Sequence, residues 1–182
     1  MLSVGSPPAL TLSSPLDGSV HSMGDAVLFS AEVSDSEDIP SAVSLVWTSD
    51  LDGQFSTQGA TSSGTAQFST SSLSAGQHTV TVTATDSDGL TSDSLASLRI
   101  NTPPEQPSLS ISPEPAYTGD SLLAAATPSS DADGDPVSHS YLWHRDGVAT
   151  AYSSSSVPSS ATAKNELWTL QATPSDGYIE GL

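Results

Sequence analysis

A strict alternation of valine and threonine constrains the fold of this chain more than any other feature of its sequence. In HTVTVTATD, Val80, Val82 and Ala84 fall on one side of an extended chain, and the threonines fall on the other. Successive side chains of a β-strand point to opposite faces, so this pattern predicts a strand with one buried face. The segments DAVLFSAEV, AVSLVWTS and SLASLRI have a similar period, and no window of helical length carries a comparable apolar stripe. The chain is therefore predicted to be all-β.

Clusters of Gly, Pro, Asp and Ser separate these segments about every eight to twelve residues, as turns do in immunoglobulin-like β-sandwiches. Such residues are also abundant in disordered chains, but the periodic apolar residues favour a folded one. Hydrophobic residues make up 35% of the chain and aromatic residues only 5%. The core must therefore come mainly from valine, leucine, alanine and the tryptophans.

Three segments of the first half recur in the same order in the second half, which indicates an internal duplication. The matched pairs are Gly24-Asp25 with Gly119-Asp120, Trp47 with Trp143, and Asp88-Gly89 with Asp176-Gly177. The duplication predicts two tandem immunoglobulin-like β-sandwiches, residues 1–101 and 108–182. Residues 102–107 are predicted to be a proline-rich linker, because proline denies hydrogen bonds to a sheet and stiffens a connection.

The second repeat ends sooner than the first. After its DSDG turn the first repeat continues with LTSDSLASLRIN, whereas the second ends with SDGYIEGL. We therefore expect the second sandwich to lack its last strand, which leaves an unpaired strand edge. The favoured explanation is that the parent chain continues. The alternative is that a strand of another copy, such as MLSVGSPPAL, fills the gap by β-augmentation.

The charge balance restricts the partners of this chain. Lysine and arginine together number 3, aspartate and glutamate 21, and the net charge is −18. Such a surface repels phosphate and anionic lipid, which disfavours binding to nucleic acid or to a membrane surface. Cations, or proteins bound through cations, are the expected partners; adaptation to solubility or high salt is the alternative. The absence of cysteine excludes disulfides and thiolate metal sites, and no segment is long enough to span a bilayer.

Acidic residues in the inter-strand loops are candidate Ca²⁺ ligands, because Ca²⁺ takes about six to eight hard oxygen ligands and accepts carboxylates and backbone carbonyls. The candidates are Asp35, Glu37, Asp38, Asp50, Asp52, Asp86 and Asp88 in the first repeat, and Asp131, Asp133, Asp135 and Asp176 in the second. The spacing is not that of an EF-hand, since glycine falls at loop position four and strands flank the loops.

Two interpretations of these loops remain open. Asp, Ser and Gly close β-turns, so a single acidic loop is more simply a turn. In an immunoglobulin-like sandwich, however, the loops after the second and sixth strands share one end, where Asp35 and Asp86 with their acidic neighbours are expected to converge and repel without a cation. Asp50 and Asp52 belong to the opposite end. A further hypothesis is that they and Asp17 share ions with Asp131, Asp133 or Asp135 across the linker.

The segments GDAVLFSAEVSDSED, LVWTSDLDG, HTVTVTATDSDGLTS and LRIN together resemble PKD-like and cadherin-like immunoglobulin-fold repeats of large bacterial and archaeal surface proteins. The resemblance implies a secreted or surface-anchored array with a structural or adhesive role and Ca²⁺ at its loops or junctions. It also implies that Trp47 and Trp143 fill the sandwich cores. Two departures are that Pro174 replaces Asp86 in the second repeat and that the WDFGDG run of PKD repeats is absent.

The functional hypothesis is a Ca²⁺-stiffened structural or adhesive module of an extracellular or cell-surface protein, with neighbouring repeats or other copies of itself as partners. One alternative is an accessory module that binds carbohydrate or protein, with candidate aromatic contacts Tyr117, Tyr152, Trp168 and Tyr178. Trp168 aligns with Val80 and is expected in the core, and its exposure would favour sugar binding. A second alternative is a filament subunit assembled by strand complementation. An enzyme is disfavoured, because the histidines lack metal-site spacing and no nucleophile or phosphate-loop motif occurs.

Overall fold

The computed structural model describes residues 5–181, which divide into two compact units between Asn101 and Thr102. Residues 1–4, the beginning of the candidate donor segment MLSVGSPPAL, and residue 182 lie outside the described part. Nearly all regular structure is β-strand, and two short 3₁₀ turns, Pro40–Ala42 and Ser159–Ala161, are the helical elements of residues 5–181. The all-β prediction is therefore confirmed.

The first unit is a sandwich of two sheets. Its strands are β1 (Ala9–Ser14), β2 (Ser19–Ser22), β3 (Val27–Ser34), β4 (Ser44–Ser49), β5 (Gly53–Ser56), β6 (Thr65–Thr70), β7 (Gly76–Thr85) and β8 (Thr91–Asn101). One sheet has the order β1-β3-β6 and the other the order β2-β8-β7-β4-β5. All neighbours are antiparallel except β2 and β8, which run parallel. This arrangement is that of an immunoglobulin-like sandwich.

The core of the first unit consists of the residues that the alternation places on one face. Val80, Val82 and Ala84 of β7 are fully buried, and β3 buries every second residue from Val27 to Val33. Trp47 is also fully buried; its indole Nε1 donates to the Gln58 carbonyl at 3.0 Å. The predicted strand faces are therefore confirmed.

The second unit repeats this plan with fewer strands. They are β9 (Leu109–Ser112), β10 (Leu122–Ala126), β11 (Ser138–Arg145), β12 (Val148–Ala149), β13 (Ser156–Val157) and β14 (Trp168–Ser175), in sheets ordered β13-β10-β9 and β12-β11-β14. Trp143 is buried, and its Nε1 donates to the Ser154 carbonyl at 2.9 Å, eleven residues ahead, the same separation as in the Trp47 contact. The two repeats therefore match in their contacts as well as in sequence.

The predicted loss of the last strand in the second unit is confirmed. In the first unit β7 lies between β4 and β8, whereas within residues 5–181 the one strand that pairs with its counterpart β14 is β11, so β14 forms the edge of its sheet. Beyond β14, the described residues form a turn and a single bridge between Ser175 and Glu180. The core of this unit is correspondingly small: its hydrophobic cluster contains three buried residues, Leu122, Trp143 and Val157.

Candidate cation-binding loops

The loop between β3 and β4 of the first unit is organised around Asp35. Its Oδ1 accepts the backbone N–H groups of Glu37 and Asp38, both at 2.8 Å. The N–H groups of Asp38 and Glu37 hold the pKa of the Asp35 carboxyl below its ordinary value, because they stabilise the ionised form. The other oxygen, Oδ2, is buried without a hydrogen-bond partner. Such a buried, unsatisfied oxygen is costly unless a ligand satisfies it.

The loop between β7 and β8 meets this loop, as the sandwich topology predicts. The Asp38 carboxylate accepts the N–H of Ser87 at 2.8 Å and its hydroxyl at 3.0 Å. Asp86 Oδ1 accepts the N–H groups of Asp88 at 2.9 Å and Leu90 at 2.8 Å, which closes the turn locally. Hydrogen bonds within the protein therefore join the two loops. Asp86 closes a turn, as expected if the acidic loops are simple β-turns.

The acidic side chains at this end do not all gather at one point. Glu37 Oε2 accepts the hydroxyls of Ser36 at 2.7 Å and Ser6 at 3.0 Å, on the outer side of the loop. Within residues 5–181, no three of the acids of this end place oxygens within 4.8 Å of one another. Cation binding by this group, Asp35, Glu37, Asp38, Asp86 and Asp88, stays a prediction.

At the opposite end of the first unit, carboxylates join neighbouring loops. Asp50 Oδ1 accepts the N–H of Thr79 at 2.7 Å, and Asp52 accepts the hydroxyl and the N–H of Ser74 at 2.6 and 2.9 Å. The Ser74 hydroxyl, its N–H and the nearby His78 ring all lower the pKa of Asp52. Asp17 is similar, since the hydroxyl and N–H of Ser97 lower its pKa. These contacts give each of the three carboxylates a structural role within its own unit.

A buried histidine beside Asp52 was not predicted from the sequence. His78 is fully buried; its Nε2 lies 2.8 Å from the Ser74 carbonyl and its Nδ1 2.7 Å from Ser49 Oγ. A carbonyl can only accept, so Nε2 carries a proton, and in the neutral ring Nδ1 then accepts from the Ser49 hydroxyl. His78 precedes Val80 on the buried face of β7, and that alternation is the signal that could have identified it. With His78 and Ser49 both buried, this network stabilises the fold rather than facing a substrate.

The loop between β10 and β11 of the second unit differs from all the others. Asp131, Asp133 and Asp135 offer oxygens that lie within 4.8 Å of one another, the only such group of potential metal ligands within residues 5–181. Asp131 Oδ1 accepts the N–H groups of Asp133 at 2.8 Å and Asp135 at 3.2 Å, while its Oδ2 is buried without a hydrogen-bond partner. Gly134, with φ of 81°, makes the bend that brings the three together. Asp131, the first aspartate of this loop, therefore has a buried oxygen without a hydrogen-bond partner, as Asp35 does in the first unit.

Of the second unit's candidate ligands, Asp133 also contacts the start of the unit, whereas Asp176 lies away from this group. The Asp133 carboxylate accepts the N–H of Thr102 at 2.7 Å and its hydroxyl at 3.2 Å, so the loop holds the first residue of the second unit. Asp176 lies apart, buried in the final turn, where its Oδ1 accepts the N–H groups of Tyr178 and Ile179 at 2.7 and 2.8 Å. Asp176 thus closes a turn, as Asp86 does in the first unit.

Of the four aromatic candidates for carbohydrate binding, Tyr152 and Trp168 pack against the second core. Trp168 is half-buried, whereas Val80 is fully buried, because among the described residues no strand lies on the side of β14 away from β11 as β8 lies beside β7. Its ring meets Trp143 edge-on at a centroid distance of 6.4 Å, and Nε1 donates to Glu166 at 3.0 Å. The Arg145 guanidinium carbon lies 5.9 Å from the ring centroid. Tyr117 and Tyr178 are exposed.

Both units are immunoglobulin-like β-sandwich modules by strand order and core. Residues 8–82, most of the first unit, match the protein family described as Bacterial Ig domain. No curated protein matches the chain in sequence. No helix within residues 5–181 has the length and apolar character needed to cross a membrane.

Three solved structures resemble the chain in fold. Fibronectin(III)-like modules of Clostridium thermocellum CbhA share 21% identity over 96% of this chain and 90% of theirs, with a TM-score of 0.44. Murine CEACAM1b shares 12% identity over 92% of each chain, with a TM-score of 0.46. Dimeric latent PorU from Porphyromonas gingivalis shares 15% identity over 97% of this chain and 19% of its own, with a TM-score of 0.39. The fold assignment rests on the strand order of the chain itself.

Proposed function

We propose that this chain is a structural or adhesive module of an extracellular or cell-surface protein, of the PKD-like or cadherin-like kind that its sequence resembles, and that its second unit binds Ca²⁺. The observation that carries the proposal is the group Asp131, Asp133 and Asp135 with the buried, unsatisfied Oδ2 of Asp131. The match of residues 8–82 to a bacterial immunoglobulin-like family supports the structural role. The module is non-catalytic in this proposal.

The chemistry of the group suits a hard cation. Three carboxylates close together repel one another, and a divalent ion removes this cost while it satisfies the unpaired oxygen. Ca²⁺ accepts carboxylates, backbone carbonyls and water in flexible geometry, so a short irregular loop with three aspartates can supply part of its coordination. The net charge of −18 also raises the local concentration of cations around the protein.

The ion would act by fixing the beginning of the second unit. Asp133 binds the N–H and hydroxyl of Thr102, and in the same loop the carbonyl of Ser130 accepts the N–H of Glu105 at 2.9 Å. A cation that rigidifies this loop therefore also rigidifies the segment from Thr102 to Glu105. Restricting that segment is how Ca²⁺ would stiffen an array of such modules.

The packing of Trp168 supports this structural role over the carbohydrate-binding alternative. A sugar-binding tryptophan presents an open ring face, whereas Trp168 packs against Trp143 and Tyr152 and lies near Arg145. Its Nε1 is also used by Glu166. These contacts make Trp168 a core residue at an incomplete edge.

Thermal unfolding with Ca²⁺ and with chelator tests the proposal. At a Ca²⁺ concentration of about 100 times its Kd, mass action stabilises the native state by about 2.7 kcal/mol, which raises the Tm of a unit of this size by roughly 15 °C. We expect D131N and D135N to lose most of this rise. D146N is the matched control: it removes the same charge from the same unit, but its amide oxygen can still accept the Leu167 N–H that Asp146 binds at 2.9 Å. An unchanged Tm of the parent chain, or an equal rise in D131N, would show that the acidic loops are turns alone.

A further inference from the structure

The second unit begins with a short entry segment, residues 102–105, whose first residues have a counterpart at the start of the first unit. The sequence TPP in this segment matches SPP in the first unit, and the second proline of each is buried. The Thr102 hydroxyl donates to Asp133 at 3.2 Å, and this pair is 31 residues apart in sequence. The Ser6 hydroxyl donates to Glu37 at 3.0 Å, also over 31 residues. The contact between the entry segment and an acidic loop is therefore part of the repeated module.

The entry segment of the second unit holds the loop between β10 and β11 on both sides of Asp131. On one side, the Ser130 carbonyl accepts the N–H of Glu105 at 2.9 Å, and the Ser130 hydroxyl donates to Glu105 Oε2 at 2.5 Å. On the other side, the Asp133 carboxylate accepts the N–H and the hydroxyl of Thr102. The buried Oδ2 of Asp131, which has no hydrogen-bond partner, belongs to a residue between these two contacts. The entry segment therefore restrains the part of the loop that carries the unpaired oxygen.

The carboxylate of Glu105 distinguishes this contact from its counterpart in the first unit. The corresponding residue there is Ala9, which pairs with Ser34 in the register of β1 and β3. Alanine has no side-chain acceptor, so it cannot bind a serine hydroxyl as Glu105 binds that of Ser130. The additional side-chain contact thus occurs in the unit whose loop brings three carboxylates close together.

We propose that Thr102 and Glu105 are positioning residues of the Ca²⁺ site, so that the entry segment sets the affinity of the loop for the ion. This inference rests on the Ca²⁺ binding proposed above. Contacts that hold a loop in its binding conformation reduce the entropy that is lost when a ligand binds. The entry segment is itself stiff, because proline fixes its own φ and restricts the preceding residue. Asp133 can bind Thr102 and an ion together, since a carboxylate has several acceptor positions.

Calorimetric titration of the full chain with Ca²⁺ measures the contribution of each contact. E105A should raise the Kd about fivefold to tenfold, because the Ser130 hydroxyl no longer restrains the loop. E105Q should stay within about twofold of the parent, because its amide oxygen still accepts that hydroxyl. T102V removes the hydroxyl but keeps the N–H, and should raise the Kd about threefold. E114A and E114Q are the matched controls, since Glu114 is an exposed glutamate of the same unit outside the loop.

Amide exchange provides a second measurement, because coupling between two sites is reciprocal: an entry segment that tightens Ca²⁺ binding must be held more tightly when Ca²⁺ is bound. At constant pH, saturating Ca²⁺ should slow the exchange of the Glu105 N–H by about the same factor of five to ten in the parent, and leave it unchanged in D131N.

The outcomes separate this inference from the proposed function. No Ca²⁺ binding by the parent would overturn both. Ca²⁺ binding by the parent with an unchanged Kd in E105A and T102V would overturn this inference alone. So would an equal rise of the Kd in E105A and E105Q, which would mean that only the charge of Glu105 matters, or an exchange rate of the Glu105 N–H that does not respond to Ca²⁺.

Discussion

The carboxylate of Asp38 accepts both the N–H and the hydroxyl of Ser87, at 2.8 and 3.0 Å, and so joins two loops that are 49 residues apart in sequence. A contact of this kind holds one end of the first sandwich together without an ion. It explains how acidic loops can be ordered by their own serines and backbone N–H groups. In the second unit, the Asp133 carboxylate accepts the N–H and the hydroxyl of Thr102 in the same way.

We expect D38A to destabilise the first unit by about 1 kcal/mol, since hydrogen bonds to a charged group are lost from a partly exposed site. S87A should cost less, because the Ser87 N–H remains. A double-mutant cycle in urea denaturation should give a coupling energy of about 0.5–1 kcal/mol between the two positions. Strictly additive effects would contradict a direct contact.

The buried histidine provides a second prediction. H78F should destabilise the first unit by about 2–3 kcal/mol, because the ring fits but the Ser49 hydroxyl and the Ser74 carbonyl lose their partner inside the protein. H144F, at a half-buried position of β11, is the control and should change stability by less than about 0.5 kcal/mol. Chemical denaturation measures both variants. Equal costs would show that the network around His78 contributes little.

Acid should destabilise the chain through Asp52. Its pKa in the folded state lies below the ordinary value of 3.8, so its contribution to stability is complete above that value. The contribution is lost as the pH falls from about 3.8 through the folded-state pKa. We therefore expect D52N to be less stable than the parent at about pH 6 and to lose less stability on acidification. An acid dependence of D52N equal to that of the parent would contradict the assignment.

The two tryptophans of the second unit should differ in their contributions. W143F loses the hydrogen bond to the Ser154 carbonyl inside the core and leaves a small cavity, so we expect a cost of about 2–3 kcal/mol. W168F should cost about 1 kcal/mol, because the ring is only half-buried and Glu166 can turn to water. Thermal unfolding of the two variants gives the comparison. A larger cost for W168F would mean that this residue, and not Trp143, is the centre of the second core.

The sequence alone determined the strand faces and the duplication. Alternation is a property of neighbouring residues, so Val80, Val82 and Ala84 could be placed without knowledge of the rest of the chain. In β8, alternation did not decide whether Leu95 or Ala96 faces the core. In the structure, Ala96 is buried and Leu95 is 60% exposed. A shift of one residue moves every side chain of a strand to the other face of the sheet, so the pairing of β8 with β7 was needed to decide which residues of β8 face the core.

The use of each acidic side chain was decided by the tertiary structure. Asp38, Asp86 and Asp131 all occur in similar acidic loops, yet the first joins two loops, the second closes a turn, and the third leaves one buried oxygen without a partner. These differences depend on which N–H groups and hydroxyls the folded chain brings within about 3 Å of each carboxylate. The composition and spacing of the sequence show that the loops carry carboxylate oxygens. Contacts between segments that are distant in sequence determine whether N–H and hydroxyl groups of the protein already bind those oxygens.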